Sequence, residues 1–126
     1  MTARFSVFSA PTELTVTITG REGVQVLTTV GDLDAAGVPA LDRALATALA
    51  GGGRVIVDLS RVEFLGCAGI RVLCVAGERH PSLIVVSGTG HAVRRCLEIT
   101  DAARHLTIRE TLAAAISPAR NEESAT

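Results

Sequence analysis

Residues 55–73, "VIVDLSRVEFLGCAGIRVL", restrict the possible folds more than any other stretch. The first of them are apolar at odd and even positions alike, apart from Asp58. A strand with one wet face would alternate, so this pattern predicts an interior parallel strand covered on both sides. The apolar run stops at Gly66-Cys67-Ala68-Gly69, after which Ile70, Leu73, Cys74 and Gly77 recur at helical spacing. Parallel neighbours need a long crossover, usually a helix, so such a strand commits the flanking chain to alternate strand and helix.

The flanking sequence has that alternation. "DLDAAGVPALDRALATALAGGG" sets Val38, Leu41, Leu45, Ala48 and Leu49 on one helical stripe, with Pro39 in the first turn and a triple glycine as the stop. "SLIVVSG" reads as another buried strand, and "HAVRRCLEITDAA" as a helix with Val93, Cys96 and Leu97 inward. "HLTIR" and "ETLAAAI" give a last short strand and helix. Upstream, "LTVTITG" alternates Leu14, Val16 and Ile18 with Thr15, Thr17 and Thr19, a half-buried strand expected at a sheet edge. The "GREG" turn joins it to "VQVLTTVG" as a hairpin, the only antiparallel pairing expected. The prediction is an α/β fold: one domain over residues 13–117, with a mixed, mostly parallel sheet, an N-terminal hairpin and about four packed helices. Residues 1–12 are expected to be a separate N-terminal segment and 118–126 a disordered polar tail.

A chain of 126 residues, 48% hydrophobic, can build one core. Its net charge is −1, all 12 cations are arginine, and it has no Trp or Tyr and only three Phe. It therefore has neither the basic footprint nor the stacking platform of a nucleic-acid binder. No apolar run approaches the roughly 18 residues of a membrane span, and the N-terminus has no signal-peptide core, so a cytoplasmic protein without a membrane partner is expected. Cys67, Cys74 and Cys96 are an odd set without metal-ligand spacing, which fits reduced thiols; no metal and no cofactor are expected. His80, His91 and His105 are scattered, with no Ser or Cys spaced to pair with them, so enzymatic activity is not expected.

Ligands of such sheets meet the loops beyond the carboxyl ends of the strands. Three loops qualify: "GDLDAAG", "RVEFLGCAG" and "GTGH". The last, with Gly88, Gly90 and His91 before a helix, has the composition of a phosphate cradle but also of an ordinary strand-to-helix turn. Arg94 and Arg95 read as a solvated helix face.

"VGDLDAAGVPAL", "VIVDLSRVEFLGCAGIRVL" and "AVRRCLEITDAARHLTI", in this order and register, resemble the STAS domain of bacterial anti-sigma factor antagonists. The resemblance runs from about Leu14 to Ile116. It implies a single STAS domain that acts without catalysis. Its partner would be an anti-sigma factor of the serine-kinase-like ATPase fold, whose capture releases a sigma factor. In the family a Ser or Thr at the start of the second helix is the phosphoacceptor, within Asp-Ser-Ser-Gly-Leu or Asp-Ser-Thr-Gly-Leu. Here Gly66-Cys67-Ala68-Gly69-Ile70 stands in that place, so the phosphoacceptor-equivalent position falls on Cys67, and neither Cys67 nor Ala68 has a hydroxyl. The resemblance assigns partner binding to Gly66, Cys67, Ala68, Gly69, Ile70 and Val72, together with Asp32 and Asp34 of "GDLDAA", where Asp32 replaces the family's usual Glu.

Cys67 has two readings. A thiol at a helix N-terminus gains thiolate character and is open to oxidation, which would make this a redox-sensing regulator. Alternatively, cysteine is a small residue left where serine has been lost. Cys67 and Cys74 on one helix lie about 10 Å apart along its axis, beyond the roughly 7 Å limit for a bridge. Cys96, on the next helix, could approach either Cys67 or Cys74, and the spacing does not fix which, although Cys74 and Cys96 both read as core residues. A module binding nucleotide or lipid is a further alternative. Asp34 has the residue type of a helix cap and, equally, a place in the partner surface. Asp58 reads as support for the loop that follows its strand.

Overall fold

The computed structural model describes residues 2–9, 12–21 and 23–116. They form one six-stranded sheet with the strands in sequence order: β1 (Thr2–Ser9), β2 (Thr12–Arg21), β3 (Val24–Leu33), β4 (Arg54–Leu65), β5 (Ile84–Val86) and β6 (Thr107–Arg109). β1 to β3 are antiparallel; β3 to β6 are parallel. The crossovers are α1 (Val38–Ala50), α2 (Cys67–Arg79) and α3 (His91–Ile99), and α4 (Leu112–Ile116) follows β6.

The α/β class, the β2–β3 hairpin and the mostly parallel sheet are as predicted. Two expectations are overturned. β2 is not an edge, because β1 pairs with it along its length, and β1 lies within residues 1–12, expected to be a segment apart. The sheet therefore has two antiparallel pairings, not one. The polar tail at 118–126 lies outside the described residues.

The strands advance in one direction across the sheet, so crossovers of a single hand place their helices on one face. Leu41, Leu45 and Ala48 of α1, Ile70 and Leu73 of α2, and Val93 and Leu97 of α3 accordingly share one core with Leu14, Val16, Leu27, Val55, Val57 and Leu59. On the other face Val24, Val26, Ile56, Ile84 and Val86 are covered by Ala115, Leu112 and Ile116 of α4. This accounts for the doubly apolar β4: Ile56 serves one core while Val55 and Val57 serve the other.

Beyond Asp58 the inward residues of β4 are Leu59, Val62 and Leu65, three apart instead of two. The ladder with β3 explains the change. Thr28 opposes Asp58 but Val30 opposes Arg61; Gly31 opposes Val62 but Asp32 opposes Phe64. Each shift inserts one extra residue into β4, which is a β-bulge. At the first bulge Asp58, a residue only 9% exposed, accepts the Ser60 backbone N–H on its carboxylate at 2.9 Å. Gly88, at φ +80°, lies against Ser60; a Cβ there would be 2.9 Å from the Ser60 Cβ.

Candidate functional site

The carboxyl ends of β3 and β4 carry the two loops that the sequence singles out, and the structure joins them. The Gly66 N–H donates to the Leu33 carbonyl at 2.8 Å. A Cβ on Gly66 would be 3.6 Å from the Asp34 Cα, and one on Gly69 would be 2.6 Å from the Leu33 Cγ. The start of α2 is thus seated against the 32–34 segment, a closeness that small residues permit.

Asp34 is not the cap of α1. Gly37 holds that position, without a side-chain cap bond. The Asp34 Oδ1 instead accepts the backbone N–H groups of Ala36 at 3.1 Å and Gly37 at 3.3 Å. It fixes the turn that delivers the chain into the helix, as aspartates do in tight turns. Gly66 caps α2 with extended backbone and likewise makes no side-chain cap bond.

The expected site residues divide by exposure. Cys67 is exposed; Asp32, Asp34, Gly66, Ala68 and Val72 are half-buried and reach the surface. Gly69 and Ile70 do not fit a partner-facing surface. Gly69 is buried under Leu33, and Ile70, 8% exposed, belongs to the main core. They hold the start of α2 in place rather than present it. Cys67, Ala68 and Val72 line a depression of about 370 Å³ with Val38 and Arg71.

Phe64 is a surface residue that sequence reasoning missed. It is 54% exposed, opposite Asp32 in the ladder, and its ring lies beside Gly66, where an added Cβ would meet Cε2 at 3.3 Å. The signal was present: strict alternation from Val57 and Leu59 would bury Arg61 and Glu63, and only a slip of the strand pattern avoids that. The first bulge makes that slip, and the second turns Phe64 outward.

All three cysteines are free thiols, Cys74 and Cys96 being half-buried. Burial pushes the Cys74 thiol above its ordinary range, and the Glu78 carboxylate adds to the effect. α2 is continuous from Cys67 to Arg79, so the Cys67–Cys74 separation follows from helix rise as expected. At the third loop Gly90 caps α3. Arg94, expected on a solvated face, is half-buried and pairs with Glu110 at 2.7 Å. No group of three or more metal-ligating side chains occurs among the described residues, and no helix there is long and apolar enough to cross a membrane.

Sheet order, three helices on one face and two joined loops at the strand ends define an α/β domain that presents a loop-and-helix surface at the carboxyl ends of its two central strands. The chain belongs to the STAS-domain family: the family model described as "Mlab, STAS domain" matches residues 16–118. It is 38% identical over 72 residues to the anti-sigma-F factor antagonist RsfB of Mycobacterium tuberculosis, in strains CDC 1551 / Oshkosh and ATCC 25618 / H37Rv. That match takes in 56% of this chain and 59% of the relative, so the chain spans about three-fifths of the length of the curated relatives it matches. Among solved structures, the crystal structure of an anti-sigma factor antagonist from Mycobacterium paratuberculosis superposes with a TM-score of 0.77 at 28% identity, covering 90% of this chain and 99% of that one. The NMR structure of the protein TM1081 has a TM-score of 0.67 at 20% identity over 82% of this chain and 86% of its own, a likeness of fold.

Proposed function

We propose that this chain is an anti-sigma factor antagonist: it binds an anti-sigma factor of the serine-kinase-like ATPase fold and so frees a sigma factor. The observation that carries the reading is the joining of the Asp32–Asp34 segment to the start of α2, beside the exposed Phe64 and Cys67. Its likeness to proteins named as anti-sigma factor antagonists supplies the kind of partner. Asp32, Asp34, Phe64, Gly66, Cys67, Ala68 and Val72 form the docking surface, with Gly69 and Ile70 supporting it from below. A protruding aromatic ring next to small residues suits a partner with an apolar pocket and close backbone approach.

Cys67 occupies the phosphoacceptor-equivalent position without a hydroxyl. The antagonist is then competent to bind whether or not its partner is an active kinase, and its output is occupancy of the partner rather than turnover.

Ala68→Arg tests the surface. Each kinase-fold anti-sigma factor encoded in the same genome is immobilised and used to capture the wild-type chain and the variant. One of them is expected to retain the wild-type chain and lose the variant. Equal retention of both, or no capture of the wild-type chain by any of them, would sink the reading.

A further inference from the structure

The depression beside Cys67 does not end at the helix start. Arg71 and Val72 line both it and a longer hollow of about 480 Å³ that follows the seam between α1 and α2. Leu45, Leu49, Val72 and Ala76 give this seam apolar walls, and Val75, 46% exposed, stands in it in mid-helix. Both flanking helices are 13 residues long, so the seam runs for about 20 Å at 1.5 Å per residue. That is the length of a helix of three to four turns.

The rim has a definite charge. Arg71 and Arg79 line it from α2, His80 from just beyond the end of α2, and Asp42 from α1. Two arginines against one aspartate leave one positive charge in excess even with His80 neutral. Among the described residues neither Arg71 nor Arg79 is in an ion pair, so both charges are free to meet a partner. A second copy of the chain docked symmetrically would bring the same two arginines from each side together, because a two-fold contact is self-facing. A small ligand would be poorly enclosed along so open a seam, whereas small-molecule sites bury most of their ligand.

We propose that the α1–α2 groove receives an amphipathic helix of the anti-sigma factor. Its apolar side chains lie on Leu45, Leu49, Val72 and Val75, and its acidic side chains face Arg71 and Arg79. This is the helix-in-groove mode, read from the partner at i, i+3 or i+4, and i+7. The inference rests on the function proposed above and carries the contact from the Cys67 break down the length of α2.

The test measures, by titration calorimetry, the affinity of the anti-sigma factor that captures the wild-type chain for Ala68→Arg, Val75→Glu and Arg79→Glu. Circular dichroism melts establish that each variant is folded. Val75→Glu and Arg79→Glu are each expected to weaken binding about tenfold or more, the loss expected of a residue near the centre of an interface. Raising the salt concentration should narrow the gap between Arg79→Glu and the wild type. If both variants bind like the wild type while Ala68→Arg does not bind, the groove is overturned and the docking surface stands. If Ala68→Arg also binds like the wild type, the underlying function is overturned as well. A wild-type dimer in sedimentation that Val75→Glu dissociates would assign the groove to a second copy and overturn the proposal.

Discussion

At Gly69 the candidate surface and the core meet in one residue: any side chain there would run into Leu33, which itself sits in the main core. The neighbouring thiols divide along the same boundary, Cys67 outside and Cys74 on the inward side of the same helix. Because burial and the Glu78 carboxylate both push the Cys74 thiol upward, its thiolate fraction at a given pH is smaller than that of an ordinary thiol. The thiolate is the species that reacts. Iodoacetamide at pH 8, followed by peptide mass mapping, should therefore modify Cys67 first and Cys74 last. Labelling of Cys74 should still be accelerating at pH values where an ordinary thiol has levelled off. Simultaneous labelling of Cys67 and Cys74 would show that α2 opens at its first turns. The inward place of Cys74 was legible in the helical stripe, and so was the first turn of α1, which Pro39 marks. The role of Asp34 was not legible, because an aspartate shortly ahead of a helical stripe fits a cap and a preceding turn equally well; only the hydrogen bonds separate them.

Among the elements, β4 does the most to shape the surface, and it does so by breaking its own alternation. Two extra residues change the inward spacing from two to three and bring Phe64 out beside Gly66. Apolar patterning makes the existence of a strand plain, but a bulge depends on how the neighbouring strand pairs, and that information lies in β3. Arg61 and Glu63, at positions that strict alternation would bury, were the trace it left in this chain. β1 was hidden for a similar reason. Its place follows from pairing with β2, and the alternation of β2 alone does not distinguish an edge from a strand flanked on both sides. Asp58 tests the first bulge. Asp58→Ala removes the acceptor of the Ser60 N–H and is expected to lower the unfolding free energy by about 1–3 kcal/mol, the cost of a partly buried donor left unmade. Asp58→Asn keeps an acceptor oxygen and should cost less. Urea denaturation of the three proteins measures both; Ala and Asn variants of equal stability would mean that the bulge does not depend on this bond.

At the scale of the molecule, the carboxyl ends of β3 and β4 present one loop-and-helix surface, and what matters for regulation is whether that surface can be switched off. A phosphate at the start of α2 would set about −1.5 to −2 charges into the proposed docking surface and oppose binding by repulsion and desolvation. This chain has Gly66, Cys67, Ala68 and Gly69 there, none with a hydroxyl to accept it. On the proposed function, capture of the anti-sigma factor should therefore persist in ATP and magnesium, and the intact mass of the chain should be unchanged after incubation with the anti-sigma factor that captures it. Cys67→Ser restores a hydroxyl at the start of α2 with little change in volume. If the partner is an active kinase, it should phosphorylate this variant and lose it from the complex as phosphate accumulates. A phosphate adduct on the wild-type loop, or release of the wild-type chain on adding ATP, would mean that the partner switches this chain by a route that does not need a hydroxyl at position 67.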